Sequence, residues 1–286
     1  AVSVTADAFN NLSDAASSVV TLVGFRLAGQ KADEDHPYGH GRMEYLAGLA
    51  VSAAILLVGV ELAKGAIEKI LHPDVIRFSW PSAAMLCVSI GVKLWMYLFN
   101  RNLSRRISSA AMAATAADSL SDCVATSAVL LGLLASRFAH VSIDGWVGIL
   151  VAAFVLRAGW ESAKDTIDPL LGKAPDPALV EGIRRTVLAH PEIAGIHDLM
   201  VHDYGPGHIM ASLHAEVSID ADMAYTHDVI DNVERELGAK YHIIATIHMD
   251  PIVTNDVHVN ALREEMLSLA RQIDPAMTLH DFRMTE

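Results

Sequence analysis

Apolar and polar positions divide the chain at about Gly172. Before that point long apolar runs follow one another. From Lys173 onward the pattern turns polar, with spaced charges and most of the histidines. A membrane-spanning helix needs about 20 mostly apolar residues, and five stretches meet that need. They run from Ala1 to Leu27, Met43 to Ile70, Trp80 to Asn100, Ser108 to Ala135 and Ile143 to Ser162. The first is polar on one face. The connections are short except for the polar segment from Gly29 to Arg42. Arg26, Lys31 and Arg42 lie on the first connection and Arg101, Arg105 and Arg106 on the third. Lys64, Lys69, Arg77 and Arg137 lie on the other two. That modest bias predicts the first set, and the tail, on the cytoplasmic side. Residue 1 is not Met and already sits in the helical pattern, so a further helix is expected ahead of it.

The tail reads as a small α+β domain. Pro177–Leu188 has helical spacing. Gly195–Asp203 and His208–Ile219 alternate like strands, Tyr225–Leu237 is helical again, and His242–Met249 is strand-like. This order predicts an open sandwich with one sheet and one helical layer. A weak repeat follows. Helix, Pro191 and IHDLM in the first copy match helix, Pro275 and LHDFRM in the second. The second copy reads either as the start of another such domain or as a short capping extension. The predicted domains are 1–172, 173–254 and the extension 255–286.

Composition sharpens this picture. The 286 residues are 52% hydrophobic and 19% charged, too apolar for an ordinary soluble enzyme and too polar for a chain buried throughout in lipid. Two cysteines exclude a disulfide scaffold and a Cys-rich zinc module. A formal net charge of -13 argues against nucleic acid as a partner, and with 14 histidines it points to cations.

The sharpest chemistry lies inside the apolar stretches. The first holds Asp7, Asn10, Asn11 and Asp14, and the fourth holds Asp118 and Asp122. Carboxylates in a bilayer are costly and face a partner, a cavity or a pathway. Asn10 and Asp14 stand four apart on one helix face, as do Asp118 and Asp122. Two such faces meeting would surround a cation with oxygen. Asp7 with Asn11 has the same spacing, and geometry alone leaves that register open. In the long loop Asp33, His36 and His40 are spaced to chelate one metal. Arg42 and Glu44 read as solvated charges at the membrane edge, Lys93 as a side chain that snorkels to the headgroups, and Cys87 and Cys123 as small buried apolar residues.

The segments ADAFNNLSDAASS, DEDHPYGHGRMEYL, AADSLSDCVATSAVLLG and VSIDGWVGILVAAFVLRAGWES, in this order, resemble the cation diffusion facilitator family. The resemblance covers nearly the whole chain. It implies an α-helical membrane domain of six helices, with helix 1 preceding this chain, and an α+β cytoplasmic domain of open βαββ, metallochaperone-like type. It implies a homodimeric, divalent-metal/proton antiporter and no enzymatic activity. The family's transport site falls on Asn10, Asp14, Asp118 and Asp122. A loop site falls on Asp33, His36 and His40. A cytoplasmic site between two copies falls on His214, His227, His248 and Asp250, with His197, His202, His208 and His242 as further candidates.

Zinc members of the family have His where this chain has Asp118, and usually Asp at Asn10. Zinc favours nitrogen and sulfur donors, whereas all-oxygen sites suit Mn²⁺. The expected activity is therefore Mn²⁺ efflux by alternating access, with Zn²⁺ or Fe²⁺ as alternative cargo. Protons would return on Asp14, Asp118 and Asp122. A membrane metal sensor or scaffold is the rival of another class. The expected setting is the bilayer of the bacterial inner membrane. The mixed donors of the cytoplasmic sites would accept Zn²⁺.

Overall fold

The computed structural model describes residues 16–72, 79–138, 144–280, 282 and 284. The chain divides into two compact units that meet between Lys173 and Ala174.

The first unit is helical. A short apolar helix, α1 (Ala16–Ala28), precedes four helices long and apolar enough to cross a membrane. These are α2 (Met43–Leu71), α3 (Trp80–Ile107), α4 (Ala110–Phe138) and α5 (Asp144–Leu170). Caps mark where they begin. Ser79 accepts the Ser82 N–H ahead of α3, and Ser109 accepts the Met112 N–H ahead of α4. Ser108 takes a left-handed backbone (φ 51°) and ends α3, so only two residues turn the chain into α4. Both α3 and α5 outrun their apolar stretches, reaching Ile107 and Leu170. Hydropathy reports the thickness of lipid, and the helix continues into polar residues beyond it.

Small residues let the helices approach closely. A Cβ on Gly59 would come within 2.8 Å of Leu156, and one on Gly148 within 2.8 Å of Ala66, so α2 and α5 touch nearly backbone to backbone. Hydroxyls add polar links. Ser52 Oγ lies 2.8 Å from Ser162 Oγ between α2 and α5, and Thr21 Oγ1 lies 2.9 Å from Thr115 Oγ1 between α1 and α4. Val51, Ile55, Ala114, Val151 and Val155 form the apolar centre. All four tryptophans, Trp80, Trp95, Trp146 and Trp160, lie on the outer surface, more than 60% exposed. An apolar outer surface with aromatic residues is what a lipid environment favours.

The second unit is α+β, in the order that its sequence pattern predicts. It runs α6 (Pro177–Val187), β1 (Ile193–Asp203), β2 (Ile209–Ser218), α7 (Met223–Tyr241), β3 (Ile243–Ile252) and α8 (Val257–Ile273). Asp176, Asp222 and Asp256 cap α6, α7 and α8 by accepting first-turn N–H groups. The sheet order is β1-β2-β3, with β1 antiparallel and β3 parallel to β2. Alternate residues of β2 (Ala211, Leu213, Ala215) join Ile183 and Val187 of α6 and Ile230, Val233 and Leu237 of α7 in one core. The intervening residues, His214 among them, point to the opposite face. Residues 274–280, 282 and 284, the described part of the second copy beyond its helix, form no strand.

Candidate functional site

Three groups of side chains with the chemistry to bind a cation are spread over the two units. In the helical unit, Asp118 and Asp122 stand one turn apart on α4, half-buried and buried respectively. Asn10 and Asp14, with Asp7 and Asn11, lie outside the described residues. Lys93 corrects the sequence reading. Its side chain turns inward toward α4 rather than out to the headgroups. Its Nζ lies 2.7 Å from Asp122 Oδ2, and both side chains are buried. Glu44 is also buried, 4% exposed, rather than a solvated charge at the membrane edge. Cys123 is buried as expected, but Cys87 is exposed on the outer surface of α3.

The loop between α1 and α2 folds its three expected residues together. Asp33 Oδ1 accepts the His36 N–H at 2.6 Å. His40 Nε2 lies 3.4 Å from Asp33 Oδ2, and the two imidazole rings are 4.4 Å apart. The backbone N–H of His36, then the nearby imidazoles, hold the Asp33 carboxyl below the usual carboxylate range. His40 Nδ1 lies 3.2 Å from the carbonyl oxygen of Lys31. A carbonyl only accepts, so Nδ1 carries the proton. Nε2 then faces Asp33 with a lone pair unless a second proton or a metal cation lies between them. This is the orientation that outer partners impose on metal-binding histidines. One oxygen and two nitrogen donors lie within 4.8 Å of one another.

The cytoplasmic cluster is built by strand register. His197 of β1 pairs with His214 of β2, and His214 pairs with His248 of β3. Three histidines therefore form one row across the sheet, on the face away from α6 and α7. A bulge after His197 makes this possible. Asp198 adopts φ 50°, and the register shifts between His197 and Met200. The extra residue lets Ile196 and Leu199 both face the core while His197 faces away. Asp250, two residues beyond His248 on the same side of β3, receives all three. Its Oδ2 lies 2.8 Å from His214 Nδ1 and 3.0 Å from His197 Nε2, and its Oδ1 lies 3.3 Å from His248 Nε2. Burial alone would raise the Asp250 carboxyl. The hydrogen bond from His214, with the charges of His214, His248 and His197, outweighs it and holds the group below the usual carboxylate range.

His197 Nε2 is buried and close to Asp250, yet it is not aligned for a hydrogen bond. Donor atoms that converge without hydrogen-bond alignment suit a shared cation better than a proton. His197, His214 and Asp250 have donor atoms within 4.8 Å of one another. His227, expected in this set, is on α7 in the helical layer, 62% exposed, with Asp231 3.8 Å away as its neighbour. Within one chain it stays outside the cluster, and His197 joins instead. His197, one of the further candidates, is brought in by the pairing of IHDLM with the His214 strand, which sets the two histidines side by side. His280, at the matching place in LHDFRM, stacks on His197 with ring centroids 4.8 Å apart.

Comparison with known proteins agrees with this architecture. Residues 1–171 match the cation efflux transmembrane domain, and residues 175–252 match the cytoplasmic domain of cation efflux proteins, a dimerisation domain. An uncharacterized transporter of Methanocaldococcus jannaschii is 30% identical over 87% of this chain and 88% of its own length. Manganese efflux system protein MneS of Bacillus subtilis is 28% identical over 87% of this chain and 86% of its own. Cation-efflux pump FieF of Shewanella oneidensis is 26% identical over 87% and 84%. The chain belongs to the cation diffusion facilitator family. It is a divalent metal cation efflux transporter, from a family of transporters rather than of enzymes.

Proposed function

We propose that the chain exports Mn²⁺ in exchange for protons, as a homodimer in a bacterial inner membrane. The cargo binds Asn10, Asp14, Asp118 and Asp122. The observation that carries this reading is the pair Asp118 and Asp122 on one face of α4, with α1 held against the same helix by Thr21 and Thr115. The family resemblance favours the register of Asn10 and Asp14 over that of Asp7 and Asn11. The donors are then all oxygen, which suits Mn²⁺ more than zinc. The relationship to a protein named for manganese efflux supports the same cargo.

Metal binding to carboxylates requires their deprotonated form, so loading and proton release are linked. Protons arriving on the far side displace the metal and return on Asp14, Asp118 and Asp122. Asn10 carries none. The clusters Asp33, His36, His40 and His197, His214, His248, Asp250 bind divalent metal at the cytoplasmic side. Their nitrogen donors suit Zn²⁺. His227 reaches the second cluster only from the other copy in the dimer.

The test is flux from proteoliposomes with a proton gradient opposed to the metal. Mn²⁺ flux well above Zn²⁺ flux is expected, with loss of about a hundredfold or more in Asp122→Ala, since a missing charged ligand costs several kcal/mol. Zinc flux equal to or above manganese flux overturns the cargo. Flux that ignores the proton gradient overturns the exchange.

A further inference from the structure

Lys93 has no part in the mechanism so far, yet it is the cation nearest Asp122. It sits near the middle of α3, with its ammonium 2.7 Å from Asp122 Oδ2 and both side chains about nine-tenths buried. Ionisable residues at this depth are costly to keep and face a partner or a pathway. We propose that Lys93 is a tethered cation that occupies Asp122 between transport cycles and competes with the incoming metal for the carboxylate. This rests on the reading of Asp122 as a ligand of the cargo.

The geometry makes the two cations rivals. A divalent ion binds a carboxylate oxygen at about 2.1 Å. With the ammonium 2.7 Å from the same oxygen, the two would lie within about 5 Å of each other, in surroundings that screen charge poorly. The metal therefore displaces Lys93 from Oδ2 as it binds. Three carboxylates, one displaced ammonium and one divalent ion sum to zero, so the loaded site is neutral. A monovalent ion would leave it negative and would be a poor replacement for the ammonium. Competition also weakens the final affinity, which suits a transporter that must let go of its cargo.

Lys93→Met and Lys93→Arg test this in the full-length protein. Mn²⁺ binding is measured by calorimetry, with Asp122→Asn as the background that removes the cytoplasmic sites from the signal. Mn²⁺ flux is measured in proteoliposomes. Lys93→Met is expected to bind Mn²⁺ about tenfold more tightly, with a lower KM and a lower maximal flux. Lys93→Arg is expected to move the other way by a similar factor, because guanidinium grips a carboxylate with two parallel hydrogen bonds. Wild-type or weaker affinity in folded Lys93→Met overturns the proposal. If Lys93→Met fails to elute as a folded protein, Lys93→Arg decides, and unchanged affinity there overturns it. Wild-type flux in Asp122→Asn would instead overturn the assignment of Asp122, whatever the lysine variants do.

Discussion

Asp250 holds the cytoplasmic cluster together, because three imidazoles approach its two oxygens. Its carboxyl is held below the usual range. A depressed carboxyl stabilises the fold above its unfolded value, near 3.8, and that contribution is lost as pH falls through the lower folded value. Asp250→Asn, with metal chelated, is expected to cost about 2 kcal/mol at neutral pH. Hydrogen exchange across β2 and β3 measures this. The difference from the parent should shrink below about pH 4. His197 makes a second case at this scale. His197→Ala is expected to weaken Zn²⁺ binding at the cytoplasmic cluster by at least about tenfold, well beyond His227→Ala in dilute protein. Calorimetry in an Asp122→Asn background separates the two.

At the scale of elements, the four long helices of the first unit were readable from apolar length alone. Their ends were not, because a helix runs on past the lipid, and neither was the direction of a side chain within them. Local pattern offers Lys93 a route to the headgroups, whereas packing of α3 on α4 turns it to Asp122. The second unit shows a different gap. The order of helices and strands follows from local periodicity, but the cluster of histidines around Asp250 depends on which strands become neighbours. Nothing local to β3 says that it runs parallel to β2, and Asp198 gives little sign of its left-handed turn. His248 and Asp250 were readable as a pair because they share one strand face, and His214 came from the family resemblance. His197 needed the register.

The contact of α2 with α5 supplies a prediction at the same scale. A Cβ on Gly145 would meet the backbone of Ile70 and Ala66 at 3.0 and 3.1 Å, where nothing can yield cheaply, while one on Gly65 meets open space. Gly145→Ala is expected to cost about 1–3 kcal/mol. Gly65→Ala is expected to be neutral or to add up to about 1 kcal/mol. Thermal unfolding in detergent should rank the pair in that order.

At the scale of the whole molecule, the excess of acid over base suits a carrier of cations, and the chemistry is dispersed. Oxygen donors occur in the helical unit, while imidazoles gather in the loop after α1 and on the open face of the sheet. One metal therefore need not fill every site, and the metal content of a purified sample is no guide to cargo. The glycine contacts between α2 and α5 carry a mechanical consequence. Where glycines bring two helices this close, and Val51, Ile55, Val151 and Val155 fill the rest of the seam, there is little slack to compress, so the pair resists sliding. The change of access to Asp122 that the proposed exchange requires would then be taken up along other seams. The seam among α3, α4 and α5, where a cleft of about 400 Å³ is lined by Tyr97, Arg101 and Phe154, has room to give.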